Sequence, residues 1–336
     1  MKTEHAERAH IPPVGILGTG SYLPSRVVTN EIVGAPAGVD DEWIVRKTGI
    51  HRRRYAADDE ATSDLAAAAG RSALENAGIP ASDLSLIIVA TSTPDSPQPP
   101  TAALVHHLLQ APTTAAAFDL NAVCSGFVYA LAAAQRMIAA DCGHALVIGA
   151  DLYTRVTDPA DRRTRVLFGD AAGAVVLGPA RAGRRLHATR LLTHSEGRDL
   201  VRVPAGGTRL GWSAETVANG LHYFAMNGRG VKEIVSANLP GTVAAFLDEC
   251  GVSKEDVAHI VPHQGNAVML QEVEKELDFP LAQLHTTVSE FGNTGSASIP
   301  VTLNAAARAG RLRPGEKVLL TAFGGGFSFG YALAEW

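Results

Sequence analysis

The feature that most restricts how this chain can fold is an internal repeat spanning about half of its 336 residues. ALENAGIPASDLSLIIVAT (73–91) aligns with FLDECGVSKEDVAHIVPHQ (246–264), setting Gly78 on Gly251, Asp83 on Asp256 and Ile87 on Ile260 at a constant separation of 173 positions. Each segment reads as a helix stopped by glycine, a short turn and a buried strand. The same separation sets HALVIGAD (144–151) over KVLLTAFG (317–324), and it brings NAVCSG (121–126) within about one residue of NTGSAS (293–298). A duplicated unit of this kind predicts two similar halves.

Each half alternates strands and helices. The first half reads as a strand at 14–20, a helix over Thr62–Ala77 with Thr62 or Ser63 as N-cap, a strand over Leu86–Thr91, a helix over Thr101–Gln110 and a strand closing at Leu120 before Cys124. The second reads as a helix over Val231–Glu249 broken near Pro240, a strand over Ile260–Pro262, a helix over Asn266–Leu277, and strands over Lys317–Phe323 and Phe327–Glu335. Apolar strand runs alternating with helices predict an α/β fold whose sheets are covered by helices. Ligands in such folds sit beyond the C-terminal ends of strands. No Pro/Ser-rich linker separates the halves, so they are expected to pack together.

Composition excludes several classes. With 46% hydrophobic and 19% charged residues, the chain can bury a large core, which argues against disorder. A net charge of −5 argues against a dedicated nucleic-acid binder. No apolar run reaches the ~18 residues that span a bilayer. The charged opening MKTEHAERAHIPP lacks the apolar stretch of a secretory signal. Three cysteines, Cys124, Cys142 and Cys250, do not make a disulfide framework. A reduced, cytoplasmic protein is expected.

Cys124 opens CSGFVYALAAAQRMIAA, a helix with no charge before Arg136 and so buried all round. At that N-terminus the helix dipole is expected to favour the nucleophilic thiolate, although a buried cysteine is often only a small core residue. Cys142 and Cys250 read as structural. His263, in IVPHQGN, directly follows a buried strand, where an imidazole can point into a site; His51, His106 and His107 have no such placement. Asn293, in EFGNTGSASIP, precedes a helix start and would equally serve as a cap. Gly324–Gly326 allow close backbone approach and bare N–H donors, as an oxyanion hole or a plain tight turn requires. Cys, His and Asn together point to thiol chemistry on an acyl group. A papain-like protease also combines them, but Cys124 lacks the C-G-S-C-W context and the duplicated layout does not fit. Gly18-Thr19-Gly20 lacks a third glycine and runs into Pro24, a weak dinucleotide signal. FGDAAGAVVLG is not a phosphate-binding loop, and no Cys/His cluster has metal-ligand spacing.

At these residues the sequence resembles the β-ketoacyl-acyl-carrier-protein synthase III family of thiolase-fold condensing enzymes. The resemblance runs over nearly the whole chain, through GTGSYLPSRVVTN, DEWIVRKTGIHRRR, AVCSGFVYAL, FGDAAGAVVLG, VPHQGN, GNTGSASIP and AFGGGFSFG. It implies two duplicated βαβαβαββ halves in five αβαβα layers, here 1–185 and 186–336, a homodimer, and an active site at the foot of a pantetheine tunnel. It implies that Cys124 is acylated, that His263 and Asn293 bind the carbonyl of a decarboxylating malonyl-thioester, and that the N–H groups of Cys124 and Gly325 form the oxyanion hole. Trp43 and Arg162 match the positions that sandwich the adenine of coenzyme A. Lys47 stands where arginine is usual, and Gly228 and Asn266 match pantetheine contacts. Pro99 (from the partner chain), Tyr153, Phe168 and Met226 match the acyl pocket. Acyl-CoA or acyl-carrier protein is the implied partner and substrate, with no cofactor or metal.

Several positions depart from that pattern. VPHQGN replaces the usual VPHQAN, and Val268 stands where a basic residue often helps dock carrier protein. Lys232 replaces a phenylalanine, and Arg229 and Lys232 are expected to restore basic charge at the entrance. Pro99 replaces an aromatic, and Tyr153 a small aliphatic. These changes predict a reshaped pocket not tuned to acetyl. Two functions follow: decarboxylative Claisen condensation priming fatty-acid or polyketide synthesis, or acyl transfer from Cys124 to an amine, hydroxyl or carrier-protein thiol without condensation.

Overall fold

The computed structural model describes residues 13–139, 143–181 and 183–336; Cys142 lies outside them. Ten strands form its two large sheets: Val14–Tyr22 (β1), Leu84–Ala90 (β2), Ala116–Leu120 (β3), His144–Asp151 (β4), Ala171–Pro179 (β5), Arg185–Thr193 (β6), Val257–Pro262 (β7), Gln283–Leu284 (β8), Lys317–Gly324 (β9) and Ser328–Glu335 (β10). Seven helices matter to the site: Asp41–Thr48 (α1), Thr62–Ala77 (α2), Thr101–Leu109 (α3), Gly126–Ile138 (α4), Gly228–Cys250 (α5), Ala267–Leu277 (α6) and Ser298–Arg308 (α7).

The repeat is carried into the topology. The first sheet runs β1-β5-β4-β2-β3 and the second β6-β10-β9-β7-β8, so the strands correspond one to one. In each, a parallel trio adjoins antiparallel outer strands. The glycines aligned in the sequence, Gly78 and Gly251, both end helices in the left-handed conformation, at φ 68° and 64°.

Alternation along the strands assigns the layers. Leu86, Ile88 and Ala90 of β2, with Val318, Leu320 and Ala322 of β9, face a central core shared with Phe127, Leu131 and Ile138 of α4 and Ile299 and Leu303 of α7. Ile87 and Val89 turn the other way, under α2 and α3. Leu319 and Phe323 turn under α5 and α6. The order is therefore helix, sheet, helix, sheet, helix. Burying each large aliphatic side chain in these cores contributes roughly 1.5–3 kcal/mol. Hydrogen bonds cross the seam between the halves: Thr19 Oγ1 to Asn304 Oδ1 at 2.9 Å and Ser296 Oγ to the Ala90 carbonyl at 2.8 Å.

Two local readings change, and the glycine pair of β1 finds its role. Thr62 and Ser63 are not the N-cap of α2; Ala61 is, with its N–H held by Asp64 at 2.8 Å. Pro240 does not break α5, because Val235, Leu239, Val243 and Phe246 pack one face of the helix onto the second sheet, and packing outweighs the missing N–H. Gly18 and Gly20 serve packing, since a Cβ at either would lie 2.5 or 2.3 Å from backbone nitrogens of α2. Among the described residues, no helix is long and apolar enough to cross a membrane.

Candidate active site

Cys124, His263, Asn293 and Gly325 line one cavity of about 580 Å³, mouth included. Each is delivered by a different element at the seam. Cys124 sits in a single 3₁₀ turn, Val123–Ser125, between β3 and α4. Val123, a β-branched residue, is held at φ 51°, a left-handed conformation such residues rarely adopt. The turn is pressed against the glycine loop that follows β9. A Cβ on Gly324 would lie 2.9 Å from the nitrogens of both Cys124 and Ser125. Gly324→Ala is therefore expected to displace the Cys124 thiol, destabilise the fold by about 1–3 kcal/mol and lower turnover at least tenfold; urea unfolding and steady-state kinetics would check both.

The ionisation of Cys124 differs from the sequence expectation. Burial, with the Asp151 carboxylate nearby, pushes its thiol up to about 12, outweighing the local backbone N–H contribution. The resting group is a thiol, and the helix dipole alone does not make a thiolate.

His263 follows β7, and its N–H donates to the Thr321 carbonyl of β9 at 2.8 Å. Its Nδ1 lies 2.8 Å from Ser298 Oγ, in the first turn of α7, and its ring meets Phe323 edge-on. Burial lowers its pKa to about 3, so the imidazole is neutral. Ser298 Oγ also accepts the Gln264 N–H at 3.4 Å. In the tautomer whose Nδ1 accepts from the serine hydroxyl, the histidine proton sits on Nε2 as a donor to the cavity.

Asn293 is fixed by its own backbone. Its N–H donates to Leu167 O at 2.8 Å and its carbonyl accepts from Gly169 N at 3.1 Å. Its Oδ1 accepts the Gly295 N–H at 2.9 Å, leaving Nδ2 as a second donor. The site thus holds a thiol and two neutral hydrogen-bonding side chains, a set suited to negative charge that develops only during reaction.

The remaining predicted residues divide. Phe168, Met226, Gly228 and Asn266 line the cavity; Asn266 also caps α6, accepting from Met269 N at 2.8 Å. Tyr153 lies against it, its ring stacked 4.5 Å from Phe168 and set edge-on to Phe224. Pro99 is exposed and lies outside the cavity of this chain. Trp43 of α1 and Arg162 are together, the guanidinium 5.7 Å from the ring centroid, beside a surface depression; an adenine would have to part them. Lys47 is exposed on the same helix. Arg229 and Lys232 do not supply free basic charge, because they pair with Glu233 and Glu272 at 2.9 and 2.8 Å. Sequence reasoning missed Ser298 and Phe224. The serine stands in the quoted GNTGSASIP segment, but only the fold reveals that it faces His263.

Comparisons with known proteins agree with this architecture. Residues 118–195 match the family model described as 3-oxoacyl-[acyl-carrier-protein (ACP)] synthase III, and residues 247–336 match its C-terminal model. The chain is 58% identical to the acetoacetyl CoA synthase NphT7 of Streptomyces sp. (strain CL190) over 323 residues, covering 96% of this chain and 98% of that protein. It is 40% identical to the β-ketoacyl-[acyl-carrier-protein] synthase III of Clostridioides difficile, with the same coverage. Among solved structures it resembles 3-oxoacyl-(acyl carrier protein) synthase III of Pseudomonas aeruginosa PAO1 (TM-score 0.87, 36% identity, 96% of this chain and 98% of the other). It also resembles the priming β-ketosynthase of the R1128 polyketide pathway (TM-score 0.89, 31% identity, 96% of each chain).

Proposed function

Because the chain belongs to the 3-oxoacyl-[acyl-carrier-protein] synthase III family, we propose that it condenses an acyl group held on Cys124 with a decarboxylating malonyl-thioester, both delivered on coenzyme A. The observation that carries the reading is the convergence of Cys124 with the free donor atoms of His263 and Asn293 in one cavity. The Cys124 sulfur attacks the acyl carbonyl, a new C–S bond forms, and the carrier thiol leaves. The N–H groups of Cys124 and Gly325 receive the transient oxyanion. In the malonyl-thioester the bond to the carboxylate breaks, carbon dioxide departs, and the electron pair moves onto the thioester oxygen between His263 Nε2 and Asn293 Nδ2. The enolate carbon then attacks the acyl-cysteine and the Cys124 sulfur is released. No cofactor beyond the substrates' own carriers is needed. Plain acyl transfer is not favoured, since the relatives named above are an acetoacetyl CoA synthase, β-ketoacyl synthases and a priming β-ketosynthase.

Coenzyme A delivery rests on the entrance. Val268 stands where a docking cation would, the neighbouring cations Arg229 and Lys232 are each paired, and Trp43 and Arg162, once parted, would hold an adenine between them. The relative named for acetoacetyl CoA synthesis supports the same choice. The aromatic group of Tyr153, Phe168 and Phe224, two of which line the cavity with Cys124, supports a short acyl chain as the starter. We further read the chain as two halves dividing near residues 185 and 186, a homodimer joined through the partly exposed edge strand β3 and the exposed Pro99 loop, and a cytoplasmic protein whose free Cys124 requires reducing conditions.

One experiment tests the function. The protein is incubated with a panel of acyl-CoAs and its intact mass recorded, then malonyl-CoA or malonyl-carrier protein is added and carbon dioxide is measured. A short acyl adduct, and at least tenfold higher kcat/KM with malonyl-CoA, are expected. An adduct that never leads to carbon dioxide release would refute condensation.

A further inference from the structure

Arg53, in the short strand Arg52–Tyr55, is completely buried. Among the described residues it forms no salt bridge. Its Nη1 donates to Asn30 Oδ1 at 2.6 Å and its Nη2 to the Val166 carbonyl at 2.7 Å, while Nε has no partner. Asn30 is buried too, and its Nδ2 donates to Ile50 O and to Asp41 Oδ1, both at 2.7 Å. The guanidinium therefore reaches a carboxylate only through an intervening amide. A charge buried in this way is costly for the fold and is retained where it has work to do.

What Arg53 holds leads to the site. The Val166 carbonyl opens the segment 166–169, which fixes Asn293 from both sides of its backbone: Leu167 O accepts the Asn293 N–H at 2.8 Å, and Gly169 N donates to the Asn293 carbonyl at 3.1 Å. Phe168 and Asn293 are bridged as in a parallel sheet. The arginine stem closes the remaining side. A Cβ on Gly169 would lie 2.9 Å from Arg53 Cβ. A Cβ on Gly292, at φ 68°, would lie 3.3 Å from Arg53 Cβ and 2.7 Å from Leu167 O. Both glycines beside Asn293 are thus pressed onto the same side chain. Asn30 steadies the other prong of the fork, anchored in turn on the first turn of α1.

We propose that Arg53 is a positioning residue for decarboxylation, setting the Asn293 amide through the Val166 carbonyl and through its own stem. This rests on Asn293 serving the enolate oxygen in condensation. Arg53 does not line the cavity that holds Cys124, so it touches no substrate and acts on the chemistry only through Asn293. The position calls for arginine because a planar fork presents two nitrogens to two acceptors on separate segments, Asn30 Oδ1 and Val166 O, where a lysine presents one. Cys124 takes its own place from the Val123–Ser125 turn and Gly324. A change at Arg53 therefore slows the step that uses Asn293 and spares acylation.

Arg53→Lys keeps a cation and an apolar stem but cannot bridge both acceptors. Acylation by acetyl-CoA is followed by rapid mixing and intact mass, and carbon dioxide release from malonyl-CoA is measured on the same protein. Far-ultraviolet ellipticity and urea unfolding report the folded fraction. Carbon dioxide release is expected to fall about 10- to 10²-fold, the scale on which a small misplacement of a reacting group acts, while acylation stays within about threefold of wild type. The double variant Arg53→Lys/Asn293→Ala should be no slower than Asn293→Ala alone, because the two act as one unit. Asn30→Ala, which leaves the arginine with one partner, should show the same split with a smaller loss, and it carries the test by the same criteria where Arg53→Lys does not fold. Wild-type kinetics, an equal loss in both steps, or additive losses in the double variant overturn the positioning role. If Asn293→Ala itself released carbon dioxide at the wild-type rate, the assigned function would fail, and the role of Arg53 with it.

Discussion

Cys124→Ala is expected to abolish the acyl adduct and to lower condensation by at least about 10⁴-fold, the scale on which loss of a covalent nucleophile acts. The fold should survive, because the change removes one sulfur from a residue that lines a cavity and whose position is set by the backbone of the Val123–Ser125 turn and by Gly324. His263 and Asn293 would still present Nε2–H and Nδ2–H to a malonyl-thioester. The variant should therefore release carbon dioxide from malonyl-CoA without forming a β-keto product. Intact mass and product chromatography separate the two. An adduct on Cys124→Ala, or normal β-ketoacyl product, would place the nucleophile elsewhere.

Asn293→Ala should produce the complementary phenotype. Removing one donor from an oxyanion site typically costs about 10²–10³ in rate. In the proposed mechanism the loss falls on decarboxylation, where Asn293 would face the enolate oxygen while the N–H groups of Cys124 and Gly325 would serve the acyl carbonyl. Acylation should stay within about threefold of wild type. The substitution also strips the Gly295 N–H of its acceptor, which costs about 1–3 kcal/mol, so kinetics should be compared well below the unfolding transition. If acylation and condensation fell together, the two oxyanion sites would not be separate.

Much of this was legible in the sequence, for physical reasons. The repeat was visible because equivalent glycines must end equivalent helices in the left-handed conformation, as Gly78 and Gly251 do. The boundaries of α2 followed from its apolar periodicity and its terminal glycine. Cys124 and His263 stood out because each meets the end of a strand, where side chains can point into a cavity. What stayed hidden depends on distant neighbours. Whether Cys124 rests as thiol or thiolate is decided by burial and by Asp151, and not by its helix. Ser92 and Tyr153 are 61 positions apart and meet only once β2 and β4 lie side by side. The charge of Lys232 was visible, but its pairing with Glu272 on α6 was not. Pro240 misled because local propensity predicts a break that packing overrides.

The seam between the halves has a consequence for how activity arises as the chain matures. Cys124 comes from one copy of the repeat and His263, Asn293 and Gly325 from the other, so neither copy holds a working site alone. The strained Val123 turn is braced by the glycine loop of the opposite copy. A chain with native secondary structure whose two copies had not docked would have no competent centre. During refolding, turnover should thus lag far-ultraviolet ellipticity, making the enzyme a clock for its own last assembly step.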